Sequence, residues 1–409
     1  MNEASEGGSA PLPSGSATVY PWFLTGVASW ALASGLQQVL FAWLLVGELH
    51  ESGAHVGLAQ MCLMLPSLLF LLPGGLLADR SDLRRLLRAL HVLAAVAALG
   101  LALAVGLGQL SLPLLIGYAL LWGTLQALAG PARDAFVSHL GAVDLLRAIV
   151  WMTAVQFLSA AAGARLGGVG SWLGSVPVLA LQAGLLLTGL VPLMRLPRTT
   201  PHPRAPAGGQ SLASLAAALG TVRRSPRLLP VALLVAADGL FYMGPAQVLC
   251  PLIVRDVYHG DLSELSSMMM VLPLGTIAGS LWVLWRGGLR RKGRAFLLAL
   301  LGVAAVLVAF LSRPPFAGFL LLMFAWGVCH SIFFNTSRVL FQVAAPASHR
   351  AQVLAVHSLG LLGMAPLSNL AAGFLAEAVG PVVACALAGA AMLLITTLAW
   401  LLTPVRRFE

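Results

Sequence analysis

Asp238 interrupts the apolar run 229–250, and His330 interrupts the apolar run 317–340. An ionisable side chain deep in a bilayer costs about 2.5–3.5 kcal/mol on insertion scales, so its presence asks for a reason. Asp238 stands nine residues past the start of its run, which at about 1.5 Å per residue puts it roughly 13 Å deep, near mid-membrane. A carboxylate there can take up a proton or pair with a cationic substrate. His330 lies at a comparable depth counted from the other side, and an imidazole titrates in the range over which membrane proton gradients operate. Both residues also have a plainer use, as polar groups packed and hydrogen-bonded between helices. Gln37, Gln38, Gln126, Gln156, Tyr242, Asn335 and Asn369 are candidates for the few orienting groups of a mostly apolar cavity, or for interhelical hydrogen bonds. Arg165 falls near the outer end of its run and can snorkel to the interface.

The elements that must position these residues are membrane helices. The 409 residues are 59% hydrophobic and only 9% charged, with a mean hydropathy of +0.91, whereas a soluble domain carries about 25% charge. The runs lack the alternation of barrel strands. We expect an all-α polytopic membrane protein of about twelve transmembrane helices, in two six-helix pseudo-repeats around a central cavity. The spans are placed near 21–47, 55–77, 86–108, 112–130, 147–168 and 176–194, then 229–250, 264–285, 294–311, 317–340, 352–376 and 381–403.

The net charge of +10 points to topology and not to a polyanion, because the arginines gather on one side of the inferred membrane. Arg80, Arg84, Arg85, Arg88, Arg133, Arg147, Arg350, Arg406 and Arg407 lie there, with the clusters in 195–227 and 286–294, while Arg255 and Arg313 fall in loops on the other side. The positive-inside rule makes the rich side cytoplasmic. The reading is a multi-pass protein of the plasma (inner) membrane, both termini cytoplasmic and no nucleic-acid partner. A Ser/Gly/Pro-rich tail at 1–20, with no cleavable signal peptide, precedes an N-terminal bundle at 21–194. A Pro/Arg-rich cytoplasmic linker at 195–228 leads to the C-terminal bundle at 229–403 and a short tail at 404–409. Within the linker, "SLASLAAALGTV" fits a short helix at the membrane face, held near anionic lipid by Arg223, Arg224 and Arg227. "PARDAF" at 131–136 and "TSRVLF" at 336–341 share Arg-x-x-Phe at the same inferred membrane edge, which suggests parallel repeats.

Charge is densest in "PGGLLADRSDLRRLLRALHVL" at 73–93. This reads as a tight cytoplasmic turn between the second and third helices, in which Gly75 admits a close neighbour, Asp79 or Asp82 accepts from a helix start, and arginines hold the aqueous edge. Gly75-x-x-x-Asp79-Arg80-x-x-x-Arg84-Arg85 resembles the signature loop of the major facilitator superfamily. The wider wording resembles its drug and siderophore exporter branch, which includes enterobactin exporters and macrolide efflux proteins. "AWLLVGELHESGAHVGLAQ", "GPARDAFVSHL" and "HRAQVLAVHSLGLLGMAPLSNLAAG" extend the likeness over most of the chain. The resemblance implies that Asp79 holds the two halves together on the cytoplasmic side when the cavity opens outward, with Gly75, Arg80, Arg84 and Arg85 supporting the turn. Two features depart from the pattern. "SAAAGARLGG" in helix five places Ser159 and Ala164 where the antiporter motif has Gly and Pro, and helix four lacks the intramembrane Arg of many proton-coupled members.

The function expected is secondary active export of small amphipathic compounds, drug-like or siderophore-like, driven by protons through alternating access. An uptake symporter of the same fold is the alternative. A polytopic enzyme is disfavoured, because Asp256, Asp261 and Glu264 stand on short loops without a metal-ligand pattern. No cofactor or metal is expected. Cys62, Cys250, Cys329 and Cys385 have no CxxC or Cys/His spacing and read as packing residues, and no nucleotide-binding loop is present in the sequence.

Overall fold

The computed structural model describes residues 16–139, 145–199, 212–345 and 350–408. Among them the chain is helical throughout, with no strand. Long runs without alternation give a sheet no amphipathic face, and in hydrocarbon a helix satisfies every backbone polar group within its own segment. The first crossing is α1 (Ser16–Trp43), drawn out through a π-helical turn at Leu44–Glu48. The chain returns along α2 (Gly53–Leu69) and α3 (Leu71–Arg80), then crosses as α4 (Leu83–Gly106), α5 (Leu112–His139) and α6 (Leu145–Gly167). A single turn, α7 (Gly170–Leu173), leads into α8 (Ser175–Thr188) and α9 (Leu190–Met194). After α10 (Leu212–Arg224), α11 (Leu228–Gly244) passes through a second π turn at Pro245–Leu249 into α12 (Cys250–Asp256). The remaining crossings are α13 (Leu262–Trp285), α14 (Lys292–Ala309), α15 (Phe316–Ala344), α16 (Arg350–Val379) and α17 (Pro381–Leu402).

Ten stretches are long and apolar enough to cross a membrane. The α2–α3 pair and α6 supply two further crossings, so both described ends of the chain lie on one side, called here the terminal side. Large apolar side chains cover the outside, and Trp172 and Trp285 stand exposed at opposite membrane edges, as interfacial aromatics do. The molecule is an integral, multi-pass membrane protein.

The helices run further than the apolar windows. α5 continues to His139 where 130 was expected, α15 to Ala344 where 340 was expected, and the α11–α12 crossing to Asp256. Polar residues end an apolar run without ending a helix. The same reason corrects the charged motif: Gly75, Asp79 and Arg80 are helical, in α3, and the turn is only Ser81 and Asp82. Asp82 is the residue that caps, accepting from Arg84 N at 3.1 Å. The expected surface helix is present as α10, packed on α16 and α11 through buried Ala218 and Val222. Residues 1–15 of the expected tail and 200–211 of the expected linker lie outside the described residues, as does the side chain of Asp79.

Helices up to α9 pack among themselves, as do those from α10 onward, and the two sets meet mainly where α2 lies on α16 and α6 on α13. Glycine makes the first contact possible: a Cβ on Gly57 would sit 2.6 Å from the Asn369 carbonyl oxygen and 2.8 Å from Gly373 Cα. With no hydrophobic drive between helices in lipid, such close backbone approach supplies the association. The internal repeat reaches backbone detail. Each first crossing of a set carries a π turn followed by a left-handed histidine, His50 (φ 51°) and His259 (φ 50°). Each then has a capped helix start, Ser52 at α2 and Asp261 at α13.

The core is joined at one end and divided at the other. A single buried cluster runs through both sets on the side opposite the termini, from Leu36 and Leu45 to Leu249 and Trp326. Toward the terminal side two separate clusters replace it, one around Phe23, Leu83 and Phe136, the other around Leu228, Phe296 and Phe341. Apart from the Gln38–Gln247 contact beside the cavity, the cross-set hydrogen bonds among the described residues lie at or beyond the level of Gln60 on the opposite side. Asn369 Nδ2 donates to Gln60 O (3.2 Å), Arg255 Nη1 to Glu51 O (2.8 Å) and Ser266 Oγ to Arg165 O (3.2 Å). Glu377 Oε2 accepts from Ser52 Oγ (3.0 Å) and Ala54 N (3.1 Å), capping α2 from the other set. The molecule is closed opposite the termini and parted toward them.

Candidate functional site

Asp238 and Tyr242 are one turn apart on α11, and Trp326 and His330 are one turn apart on α15, so each helix offers an i, i+4 pair on one face. The structure brings these four together. His330 Nε2 lies 3.5 Å from Asp238 Oδ2, and Asp238 is only 1% exposed. The Tyr242 ring lies flat against the imidazole, centroids 3.8 Å apart and planes 10° apart, while Trp326 meets Tyr242 edge-on at 5.1 Å. Both Asp238 oxygens and His330 Nε2 are buried without a hydrogen bond. A buried carboxylate must be protonated or paired. Here it can be neutral beside a neutral imidazole, or charged beside an imidazolium, and the two forms differ by one proton moved across the gap. Each buried polar atom left unsatisfied calls for an explanation.

A cavity of about 310 Å³ lies between α1, α2, α5 and α6, closed at one point by the second π turn. Gln37, Gln38, Gln126 and Ser34 line it from the first set and Gln247 from the second, with Trp122 as an apolar wall. Gln126 is fixed at both ends: its Oε1 accepts from Trp30 Nε1 (2.6 Å) and its Nε2 donates to Ser34 Oγ (3.1 Å). Gln38 Nε2 reaches Gln247 Oε1 across the interface at 3.4 Å. Gln37, 4% exposed, keeps Nε2 without a partner. Trp30, Trp122, Tyr118 and Phe41 form a stacked column behind this wall, neighbouring ring centroids 6.1–6.3 Å apart. Asp238 and His330 are not among the lining residues.

The other expected residues have separate places. Gln156 is partly buried on α6, outside the cavity lining. Asn335 donates to Ser280 Oγ (3.3 Å) and Ser331 Oγ (3.4 Å), joining α15 to α13. Asn369 is one of the cross-set bonds. In the charged loop, Arg85 lies 3.6 Å from Asp82, the Arg84 guanidinium donates to Met194 O, and Leu83 N donates to Thr199 Oγ1 at 2.8 Å. These bonds hold the loop to its own set of helices. Gly75 is half-buried in α3 and Arg80 exposed at its end. Gln247, Trp30, Trp122 and Trp326 were not expected. Gln247 carries the same signal as Asp238, a polar residue inside an apolar run; the tryptophans give no polar signal in a sequence rich in apolar residues.

Among curated proteins, none matches the sequence. The structure resembles a nucleoside transporter, NupG (TM-score 0.76, 13% identity, 96% of this chain and 100% of that one). It also resembles a bacterial homologue of the human lysosomal transporter Spinster in an inward-facing, unoccupied conformation (0.69, 14%, 98% and 97%), and a D-xylose–proton symporter (0.69, 13%, 96% and 99%). These likenesses establish the fold. The family described as transmembrane secretion effectors matches residues 9–409, essentially the entire sequence. With that match and a fold shared with secondary transporters, the chain belongs to the transmembrane secretion effector family of major facilitator-type transporters.

Proposed function

We propose that this protein is a proton-driven exporter of small amphipathic compounds in the plasma (inner) membrane, with its terminal side cytoplasmic. The observation that carries the proposal is the buried Asp238–His330 pair, stacked on Tyr242 within the second set of helices and left with unsatisfied oxygens. The moving bodies we assign are 21–194 and 229–403, joined by the linker 195–228. In the state described, the core parted toward the termini gives the cytoplasm access, and the contacts of α2 on α16 and α6 on α13 seal the outside. Closing the terminal side and opening the other carries substrate outward, and a proton entering the Asp238–His330 pair from outside resets the cycle. Asp79 is the latch we assign to the outward-open state, in which α3 and its loop would meet the second set. The basic loops support this orientation. The family's description as secretion effectors and the partial helix-five motif support export.

Purified protein in proteoliposomes containing a pH-sensitive dye tests this reading. Substrate added on the cytoplasmic side is expected to drive protons in the opposite direction. Protons and substrate moving together would identify an uptake symporter, and no proton movement would remove the coupling.

A further inference from the structure

Resting on that reading, we propose that the glutamine-lined cavity selects uncharged compounds, those that pair a planar or apolar body with carbonyl or hydroxyl groups. Its lining holds four glutamines and two serines but no acid, base or histidine. Amides both donate and accept, so they can pair with a neutral polar group of either kind, but they bring no countercharge to an ion. An ion entering would lose its hydration without meeting a countercharge, a loss that buried charges tolerate only when paired. Asp238 is absent from the lining and already faces His330. Arg133 lies against Trp30, 5.9 Å from the ring centroid, and is coupled electrostatically to adjacent Asp134. It is also absent from the lining.

Gln37 lines the cavity, and its buried Nε2 has no hydrogen-bond partner; a turn of its side chain would present that N–H group to a bound carbonyl or hydroxyl oxygen. Trp122 and Leu63 offer flat and apolar surface, and Gly35 and Gly123 shape the cavity by letting α1 pack on the backbone of α6 at Ala160 and α5 on that of α2 at Leu63. Gln38 and Gln247 meet at only 3.4 Å from opposite sets of helices. A ligand that takes over this hydrogen bond bridges the two sets. Gln247 lies within the second π turn, and π turns recur at functional sites.

Binding of three matched naphthalenes to the full chain in detergent tests the proposal by calorimetry: 2-naphthamide (neutral), 2-naphthylmethylammonium (cation) and 2-naphthoate (anion). The amide is expected to bind about tenfold tighter than either ion, and Gln37→Met to weaken it about tenfold. Gln37→Glu should turn the preference toward the cation. Gln247→Leu, on the other set of helices, should also weaken the amide, and size-exclusion profiles verify folding of all three variants. The proposal is overturned if an ion binds the parent as tightly as the amide, if the amide does not bind, or if both Gln37→Met and Gln247→Leu leave its affinity unchanged. Binding is read without a gradient, so the two readings fail separately. Selective amide binding without proton flux removes the coupling and leaves the substrate class, whereas proton flux driven by a charged naphthalene does the reverse.

Discussion

At the scale of single residues, Asp238 is a buried carboxylate with His330 3.5 Å away and no hydrogen bond to either oxygen. Asp238→Asn keeps size and polarity but removes the site for a proton. Substrate-driven proton flux should disappear in this variant while naphthamide affinity stays within about twofold, because Asp238 does not line the cavity. Flux equal to the parent's would make Asp238 a structural residue. Tyr242 positions the imidazole by stacking, an interaction worth about 0.5–1.5 kcal/mol. Tyr242→Phe should therefore couple as the parent does, and Tyr242→Leu should lower proton flux severalfold without changing amide binding. Asp238, Tyr242 and His330 were legible in the sequence because each breaks an apolar run. That they form one cluster was not, since α11 and α15 are distant in sequence and nothing in either run says which faces meet. Gln37, Gln38 and Gln126 were legible by the same signal. Asn335 shows its limit: a polar residue in a span bonds a neighbouring helix as readily as it lines a cavity.

At the scale of elements, the seal opposite the termini is made by α2 and α16. Glu377 supplies a carboxylate at the α2 N-terminus, where Ser52 already caps and where negative charge is favoured. Hydrogen bonds to a charged group are worth about 1.5–3 kcal/mol against about 1 for a neutral one. Glu377→Gln should cost the closed seal about 1 kcal/mol and raise the outward-open fraction about fivefold, read as faster labelling of a cysteine placed at Ala54, partly buried beside Glu377. An unchanged labelling rate would show that glycine packing alone holds the seal. Asp261, outside the spans, is the corresponding cap of α13. Hydrogen bonding with Glu264 and to the backbone N–H groups of Ser263 and Glu264 holds its carboxyl below the ordinary range. A depressed carboxyl stabilises above its unfolded pKa, about 3.9, and that contribution is lost as pH falls through the lower folded value. Asp261→Ala should thus lower thermal stability at neutral pH, and the difference from the parent should shrink in acid. Helix order and number were readable from apolar length. The charged loop was read as starting too early because Ala78, Asp79 and Arg80 carry α3 past the apolar window that ends at 77, which leaves Asp82, of the two candidates Asp79 and Asp82, to start the next helix.

At the scale of the whole molecule, what matters is that one core becomes two toward the termini. No sequence pattern distinguishes this state from its opposite, because the same residues must pack in both. If the basic loops face the cytoplasm as proposed, a cysteine at Ser225 should react with an impermeant reagent only from the cytoplasmic side, and labelling in intact cells would reverse the assignment. In the proposed cycle, protonation at Asp238 drives exchange between the two states. Pulsed electron-spin distances test it most directly, with labels at Ser81 and Val343 across the terminal side and at Gln109 and Ser312 across the other. Between about pH 5 and 8 the two distances should shift in opposite senses in the parent and stay fixed in Asp238→Asn. Distances that ignore pH in the parent, or follow it equally in the variant, would contradict the account.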